Sequence, residues 1–563
     1  MSEPFTWWKH AIPAILLSAT AFVPASEPFV WWKHGVFYQI YPRSFQDSDG
    51  DGVGDLQGII DRLDYLVELG VDAIWISPIF ASPMADFGYD VADYRAIHPL
   101  FGDMATFDRL LNAAHDRGLR VVLDYVPNHT SDEHPWFIES RSSRDNPKRD
   151  WYIWRDARPD GSPPNNWESF FGGSAWEWDE LTQQYYLHLF LSKQPDLNWR
   201  NPEVVAAMHD VLRFWLDKGV DGFRMDVVTF LMKHPDMPDN PMVTGQDMFG
   251  ENAGDRPFQQ HVYDINQPEV HERLREFRRI FDAYAGDRVT IGETWFPNPA
   301  DLVKYYGENL DELHIPFNFM LITRPWNASA MKDAIAAYYA VMPEGATPNF
   351  VLGNHDVPRF ATRFGRANHR SAGLMLLTLW GVPTLYYGDE LGMENVPIPR
   401  DRLQDPVGIR MPGSNRGRDP ERTPMQWDAS PNAGFAPEGV EPWLPIADNY
   451  REVNVAAQRD DPTSTLSFYR TLLRLRREMP ALHRGDFAFV EGAPEGVLAY
   501  LRRAEGQRAL VVINFEGRAH TLDLSAVARS AEVLLSTEFA QSGPVDLGAL
   551  RIGPHESLLL RLA

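Results

Sequence analysis

Cysteine is missing from all 563 residues, which excludes disulfides, thiolate chemistry and cysteine-based zinc sites and leaves the redox compartment open. No uninterrupted apolar run reaches the roughly 20 residues a membrane helix needs. Positive charge is short as well. Against 78 acidic residues stand 53 basic ones, a formal charge of −25, so a polyanionic partner such as nucleic acid or an anionic membrane would be repelled. A small neutral or cationic ligand fits that balance better.

What is present is a long, aromatic-rich chain. Its length exceeds one ordinary domain and predicts a large body with one or two smaller modules; an apolar content of 44% is enough to fill their cores. The 18 Trp, 20 Tyr and 32 Phe could line a sugar cleft, although most rings belong in the core. Near the start, Ser-Glu-Pro-Phe-Thr-Trp-Trp-Lys-His (residues 2–10) recurs almost unchanged at residues 26–34. The apolar stretch Ala11 to Ala25 between the copies resembles a short signal-peptide core, interrupted by Pro13. Residues 1–25 are therefore set outside the fold as a leader or duplicated segment. A cytoplasmic location is expected, or a periplasmic one if that leader acts as a signal.

From Val36 onward, short apolar runs alternate with helical periodicity, the pattern of repeated βα units. Eight runs are found: 36–41, 73–77, 119–126, 220–226, 289–293, 312–317, 350–353 and 382–387. They predict an α/β fold, a (β/α)8 TIM barrel with its site at the C-terminal strand ends. The stretch between His129 and Pro195 is too long for a simple βα loop and reads as an inserted subdomain, residues 130–195, after the third strand. The barrel then occupies 26–129 and 196–477. Beyond it, short alternating segments predict a C-terminal β-sandwich domain over 478–563.

Carboxylates cluster at three of those strand ends. In Gly219 to Val228, apolar Val220, Phe223, Met225 and Val227 alternate with Asp221, Arg224 and Asp226. Two residues apart on a strand, Arg224 and Asp226 share a face, so the guanidinium keeps the carboxylate ionised and oriented. Glu293 closes the run from Val289 beside Trp295; burial against an indole raises a carboxyl pKa and suits a general acid. Asp356 closes the run from Phe350. Three acids at three strand ends repel one another and are tolerated mainly at functional sites. Their chemistry is glycoside hydrolysis with retention: one carboxylate attacks the anomeric carbon while another protonates the leaving oxygen.

The loop Asp47-Ser-Asp49-Gly-Asp51-Gly-Val53-Gly-Asp55 carries carboxylates at alternate positions, as the first nine positions of an EF-hand loop do. Gly58 stands where that loop has its bidentate Glu, and a strand precedes it. A structural Ca2+ or Mg2+ site outside the EF-hand class is expected, with Asp47, Asp49, Asp51, Asp55 and the Val53 carbonyl as ligands.

The motifs Asp124-Tyr-Val-Pro-Asn128-His129, Gly222-Phe-Arg224-Met-Asp226, Gly292-Glu293-Thr-Trp and Asn354-His355-Asp356, in this order, resemble the α-amylase family of glycoside hydrolases. Within it the chain is similar to the α-glucosidase and oligo-1,6-glucosidase branch, through Gln194-Pro-Asp196-Leu-Asn198 and Arg422-Thr-Pro-Met-Gln-Trp427-Asp428. The resemblance implies that Asp226 is the nucleophile, Glu293 the acid/base and Asp356 the transition-state stabiliser. Arg224 would orient Asp226, His129 and His355 would bind hydroxyls of one glucose, and Tyr89 and Asp90 would supply a stacking face and a carboxylate for its non-reducing end. Arg418 would pair with Asp90 and block the pocket beyond one sugar, with Arg422 as the competing choice. The activity so implied is that of an exo-acting α-glucosidase on short α-glucosides, with transglucosylation. Val227 after the nucleophile resembles 1,6-active members, so oligo-1,6-glucosidase is the alternative, and a trehalose synthase-like transferase shares the same triad. A small-molecule α-glucoside is the expected partner, with no nucleic acid, no membrane, no organic cofactor, and a monomer or homodimer as the assembly.

Overall fold

The structure, a computed structural model, describes residues 28–244, 257–411 and 416–562; the leader read into residues 1–25 lies outside them. Eight parallel strands form the barrel: β1 (Phe37–Ile40), β2 (Ala73–Ile76), β3 (Arg120–Tyr125), β4 (Gly222–Met225), β5 (Val289–Gly292), β6 (Ile315–Pro316), β7 (Asn349–Val351) and β8 (Val382–Tyr386). Each falls within or against one of the eight apolar runs. Their ladder order is β6-β5-β4-β3-β2-β1-β8-β7. Such strands are covered on both faces, by helices outside and packed side chains within, which is why they read as continuous apolar runs.

β6 is much shorter than the run from Glu312 to Phe317. Pro316 has no N–H to donate, and the seam between β6 and β7 is closed by a side chain instead. Asn349 donates Nδ2–H to the Pro316 carbonyl and accepts the Asn318 N–H at 2.9 Å on Oδ1.

The helix before β4, Pro202–Lys218, shows how a local signal places a site residue. Asn201 caps its start by accepting the Glu203 N–H, Pro202 occupies the first turn, and Gly219 ends it in the left-handed region at φ 103°. Val204, Met208, Val211, Leu212, Trp215 and Leu216 form its buried face. The chain then enters β4 through Gly222, where a Cβ would meet Val289 Cγ1 at 2.4 Å. Glycine lets β4 and β5 approach closely, and that brings Asp226 and Glu293 together just beyond.

After β3 the chain leaves the barrel for a three-stranded antiparallel sheet of Trp154–Arg155, Gln184–Leu187 and Trp176–Asp179. Bridges between His129 and Asp196 and between Tyr152 and Leu197 tie its base. Its core residues Ile153, Trp167, Trp176, Leu187 and Leu189 pack with Val227 and Phe230 from the loop after β4. The insertion is thus fastened to the backbone that follows Asp226.

The C-terminal domain has eight strands: β9 (Asp486–Phe489), β10 (Val497–Ala504), β11 (Gln507–Asn514), β12 (His520–Leu522), β13 (Ser530–Ser536), β14 (Gly543–Asp546), β15 (Leu550–Ile552) and β16 (Ser557–Leu562). Six make an antiparallel sheet ordered β9-β10-β11-β16-β13-β14, and the β12–β15 pair covers it through a shared core that includes Leu510, Val512, Leu522, Leu550 and Leu560. Tyr500 and Ser557 bond Thr378 and Ser371 of a barrel helix at 2.6 and 2.7 Å. Among the described residues no helix is long and apolar enough to cross a membrane.

Candidate active site

The strand ends converge on one guanidinium. Arg224, 1% exposed, donates from Nη1 to Asp226 Oδ1 at 2.7 Å and to Asp124 Oδ1 at 2.9 Å, and from Nη2 to Glu293 Oε2 at 2.5 Å. Asp226 N–H still bonds the Tyr125 carbonyl at 2.8 Å, and Glu293 N–H bonds Met225 O at 2.9 Å, so both acids are seated directly on the ladder. Immediately after Asp226 the backbone turns left-handed at Val227, with φ 36° and ψ 48°. That is a costly conformation for a β-branched residue. It aims the Val227 N–H at Glu293 Oε2, at 3.1 Å.

Burial drives the Asp226 carboxyl pKa well above its usual range, with Arg224 opposing and the charges of Glu293 and Asp124 adding to the rise. Burial raises Asp124 to about 6 against the pull of Arg224. Asp124 also accepts Trp75 Nε1–H and the Tyr89 hydroxyl on Oδ2, both at 3.1 Å. Trp295 meets Glu293 differently from the expected apolar wall: its Nε1–H donates to Oε1 at 2.7 Å. The indole positions the acid by its polar edge.

Asp356 sits among cations. Arg422 Nη2 and Arg418 Nη1 reach its Oδ1 at 2.9 and 3.1 Å. Burial opposes its ionisation, yet His355, Arg418 and Arg422 hold its pKa well below the usual carboxylate range. His355 is fixed from both nitrogens, by Gln39 Nε2 at 2.8 Å and the Tyr89 hydroxyl at 2.7 Å. Tyr89 and His355 stack with centroids 5.5 Å apart and planes within 3°.

Arg418 does not pair with Asp90. Its Nη2 bonds Asp86 Oδ1 at 2.8 Å and Asp405 Oδ1 at 2.7 Å. Asp90 is wholly buried, accepting the main-chain N–H groups of Ala85 and Asp86 at 2.8 and 2.9 Å. The cause is the turn between them: Phe87 and Gly88 both have positive φ, 50° and 105°, and the reversal directs Asp86 to the cavity and Asp90 into its own loop. Arg422 does not pair with Asp90 either: it bonds the His355 carbonyl and Asp356, and of the two arginines Arg418 is the one on the cavity wall.

These residues surround a cavity of about 370 Å3, within the range of small-molecule sites. Asp86, Tyr89, His129, Gln194, Asp226, Glu293, His355, Asp356 and Arg418 are on its wall, with Phe170, Phe171, Phe190 and Phe230 forming an apolar side. Arg418 lies 5.0 Å over the Phe171 ring.

Residues 39–485 match the family described as alpha amylase, catalytic domain, and residues 487–556 match the maltogenic amylase C-terminal domain. This chain belongs to the α-amylase family. Like its relatives it is a glycoside hydrolase. It is 42% identical to a probable alpha-glucosidase of Rhizobium meliloti (strain 1021) over 87% of this chain and 90% of that one. To an oligo-1,6-glucosidase of Parageobacillus thermoglucosidasius it is 40% identical over 94% and 98%. The crystal structure of the alpha-glucosyl transfer enzyme XgtA superposes with a TM-score of 0.88 at 43% identity, covering 95% of this chain and all of that one.

Several lining residues of this α-amylase-family member escape a sequence reading. Asp86 lies in the same short motif as Asp90, and nothing in residue type separates them. Gln194 stands in a motif that marks the branch but says nothing of the cavity, and the four phenylalanines look like core; Asp405, behind the wall, is distant in the chain from the Asp86 it joins through Arg418. Gln194, from the insertion, donates to Asp86 Oδ2 at 3.1 Å, so the insertion helps hold the residue that Arg418 grips.

The acidic loop after β1 brings three of its four aspartates together. Carboxylate oxygens of Asp47, Asp49 and Asp55 lie within 4.8 Å of one another. Asp51 stands outside that group, its Oδ1 accepting the Val53 N–H at 2.8 Å. Asp47 is fixed by the N–H groups of Gly50 and Gly52 at 2.6 and 2.9 Å, and Asp55 caps the following helix through Gly58 N–H at 2.7 Å. An all-oxygen anionic donor set suits a hard cation.

Proposed function

We propose that this α-amylase-family enzyme is an exo-acting, retaining α-glucosidase that takes glucose from the non-reducing end of short α-glucosides, maltose-type oligosaccharides and sucrose among them. The observation that carries the reading is the single guanidinium of Arg224 holding Asp226 and Glu293 side by side. Retaining glycosidases need their two carboxyl groups about 5–5.5 Å apart, and two acids hydrogen-bonded to neighbouring nitrogens of one group are held at that order of separation.

In this reading Asp226 attacks the anomeric carbon as the bond to the leaving oxygen breaks, and Glu293 gives that oxygen its proton. Water, activated by Glu293, then breaks the glucosyl–Asp226 ester and restores both acids. Asp356, kept ionised by its cationic neighbours, faces the positive charge that develops on the sugar ring. The Arg418, Asp86 and Asp405 cluster supports a cavity closed beyond one glucose, hence exo action. A sugar hydroxyl in place of water gives transglucosylation. Val227 and the oligo-1,6-glucosidase relative favour isomaltose-type linkages as the second reading.

Asp47, Asp49 and Asp55, with the Val53 carbonyl, are the residues that would hold Ca2+ or Mg2+. Its contribution there is structural, neutralising acids that tie β1 to the helix after it.

Incubation with maltose, isomaltose, sucrose and trehalose, followed by proton NMR of the first product, tests the main reading. α-Glucose is expected first. β-Glucose first, or a folded protein that releases none, would defeat it.

A further inference from the structure

We infer that Lys233, remote from the reacting acids, decides which nitrogen of His129 carries the proton and so makes that histidine a donor to the sugar. Lys233 is 3% exposed. Its ammonium forms an ion pair with Asp196 Oδ2 at 2.6 Å and donates to Asn128 Oδ1 at 2.8 Å and to the Phe230 carbonyl at 2.7 Å. These come from the insertion's base, from the end of β3 and from the loop after Asp226.

An ammonium cannot accept a hydrogen bond. The Asn128 amide must therefore present its oxygen to Lys233 and its NH2 group to the other side, where His129 Nδ1 lies 3.1 Å from Asn128 Nδ2. Nδ1 then accepts, and a neutral imidazole keeps its one proton on Nε2. Neutrality is secured by burial, which lowers the His129 pKa to about 4 against the pull of Asp196.

Gln194 cannot serve that Nε2–H. Its oxygen is taken by Leu191 N–H at 3.0 Å, so its nitrogen is the end that lies 3.2 Å from His129 Nε2 and bonds Asp86. Either tautomer sets one ring N–H against an NH2 group; the Gln194 nitrogen already donates to Asp86 Oδ2, so Nε2–H is the proton that can turn to a hydroxyl in the cavity that His129 lines. The Tyr89 carbonyl also attracts a ring proton. Were it to hold Nδ1–H, that proton would lie against the Asn128 NH2 group, and turning the amide over to relieve the contact would set that NH2 group against the Lys233 ammonium. Lys233 is thus a positioning residue, acting on substrate through Asn128 and His129.

The inference rests on the glucosidase reading, and its test separates the two. Native enzyme that fails to turn over 4-nitrophenyl α-glucopyranoside would count against the reading, whereas the ring proton can be located without turnover. In 15N-histidine-labelled protein, with the His129 signals identified by their loss in His129→Asn, Nε2 is expected to be protonated and Nδ1 not. Proton on Nδ1 in the native enzyme overturns the inference. Lys233→Met alone would strand the Asp196 carboxylate, so two paired variants are compared, Asp196→Asn with Lys233→Gln and Asp196→Asn with Lys233→Met. The Gln side chain still offers Asn128 a donor and should keep the native ring pattern. Its Met counterpart should show both tautomers and a kcat/KM lower by about tenfold or more. Identical ring spectra and kcat/KM values within about twofold of each other would show that Lys233 does not set the tautomer.

Discussion

Arg418 closes on Asp86 at 2.8 Å, a contact between the segment after β8 and the segment after β2 on the wall of the cavity. Neither residue lies in a helix or strand, and the pair is nine-tenths or more buried. Arg418 also reaches Asp405 and Asp356, so three carboxylates surround one cation and the contact is well compensated. Breaking it by removing a single partner leaves charge unpaired in a buried place, which is costly.

The two aspartates of that loop are predicted to separate cleanly by mutation. Asp86→Ala should raise KM for maltose by about 10- to 100-fold, because a group at the sugar's end is lost and Arg418 loses a partner. Asp90→Ala should instead lower the melting temperature, since two buried main-chain N–H groups lose their acceptor. Steady-state kinetics with thermal melts decides, and the reverse pattern would put Asp90 back in the pocket.

Arg224→Lys keeps the charge but not the fork. A lysine cannot bond Asp226, Asp124 and Glu293 at once with fixed angles, so kcat should fall by about 100-fold or more with the fold retained. A variant within about threefold of native would mean the acids hold their places without the guanidinium.

Asp226→Asn should stabilise the protein while abolishing turnover. The folded-state pKa of Asp226 is raised by burial, so the stability linked to its protonated form is fully present below the unfolded value of about 3.9 and is lost as pH rises through the folded pKa. The variant's gain in melting temperature over native should therefore be small near pH 4 and larger near pH 8. The acid limb of the native kcat/KM profile should lie above the ordinary carboxylate range, since attack needs the ionised form. Equal melting shifts at both pH values would contradict the assignment.

Chelation should lower the melting temperature, and Ca2+ or Mg2+ should restore it, with Asp49→Asn abolishing the effect. An unchanged melt after EDTA would show that the clustered acids of the loop after β1 stand without a cation.

The barrel and the three acids were legible because they derive from local chemistry. Strands buried on both faces are mainly apolar, and an acid that ends such a run stands out against it. β6 is only Ile315–Pro316, and Asn349 takes the Pro316 carbonyl with its side chain, a pairing that residue type does not announce. The partner of Arg418 was illegible: Asp86 and Asp90 are chemically alike, and their opposite orientations depend on two positive φ values at Phe87 and Gly88.

Residue order alone marked out the eight-stranded body and the family and pointed to the acids at Asp226, Glu293 and Asp356, since periodicity and motif spacing are properties of neighbours along the chain. Tertiary structure alone decided who faces whom: Arg224 between two acids, Trp295 turning its N–H to Glu293, Asp86 taking the place expected of Asp90, Lys233 beneath Asn128. Those pairings join segments tens to hundreds of residues apart, and hydrogen bonds a few ångströms long depend on backbone turns that residue type does not specify.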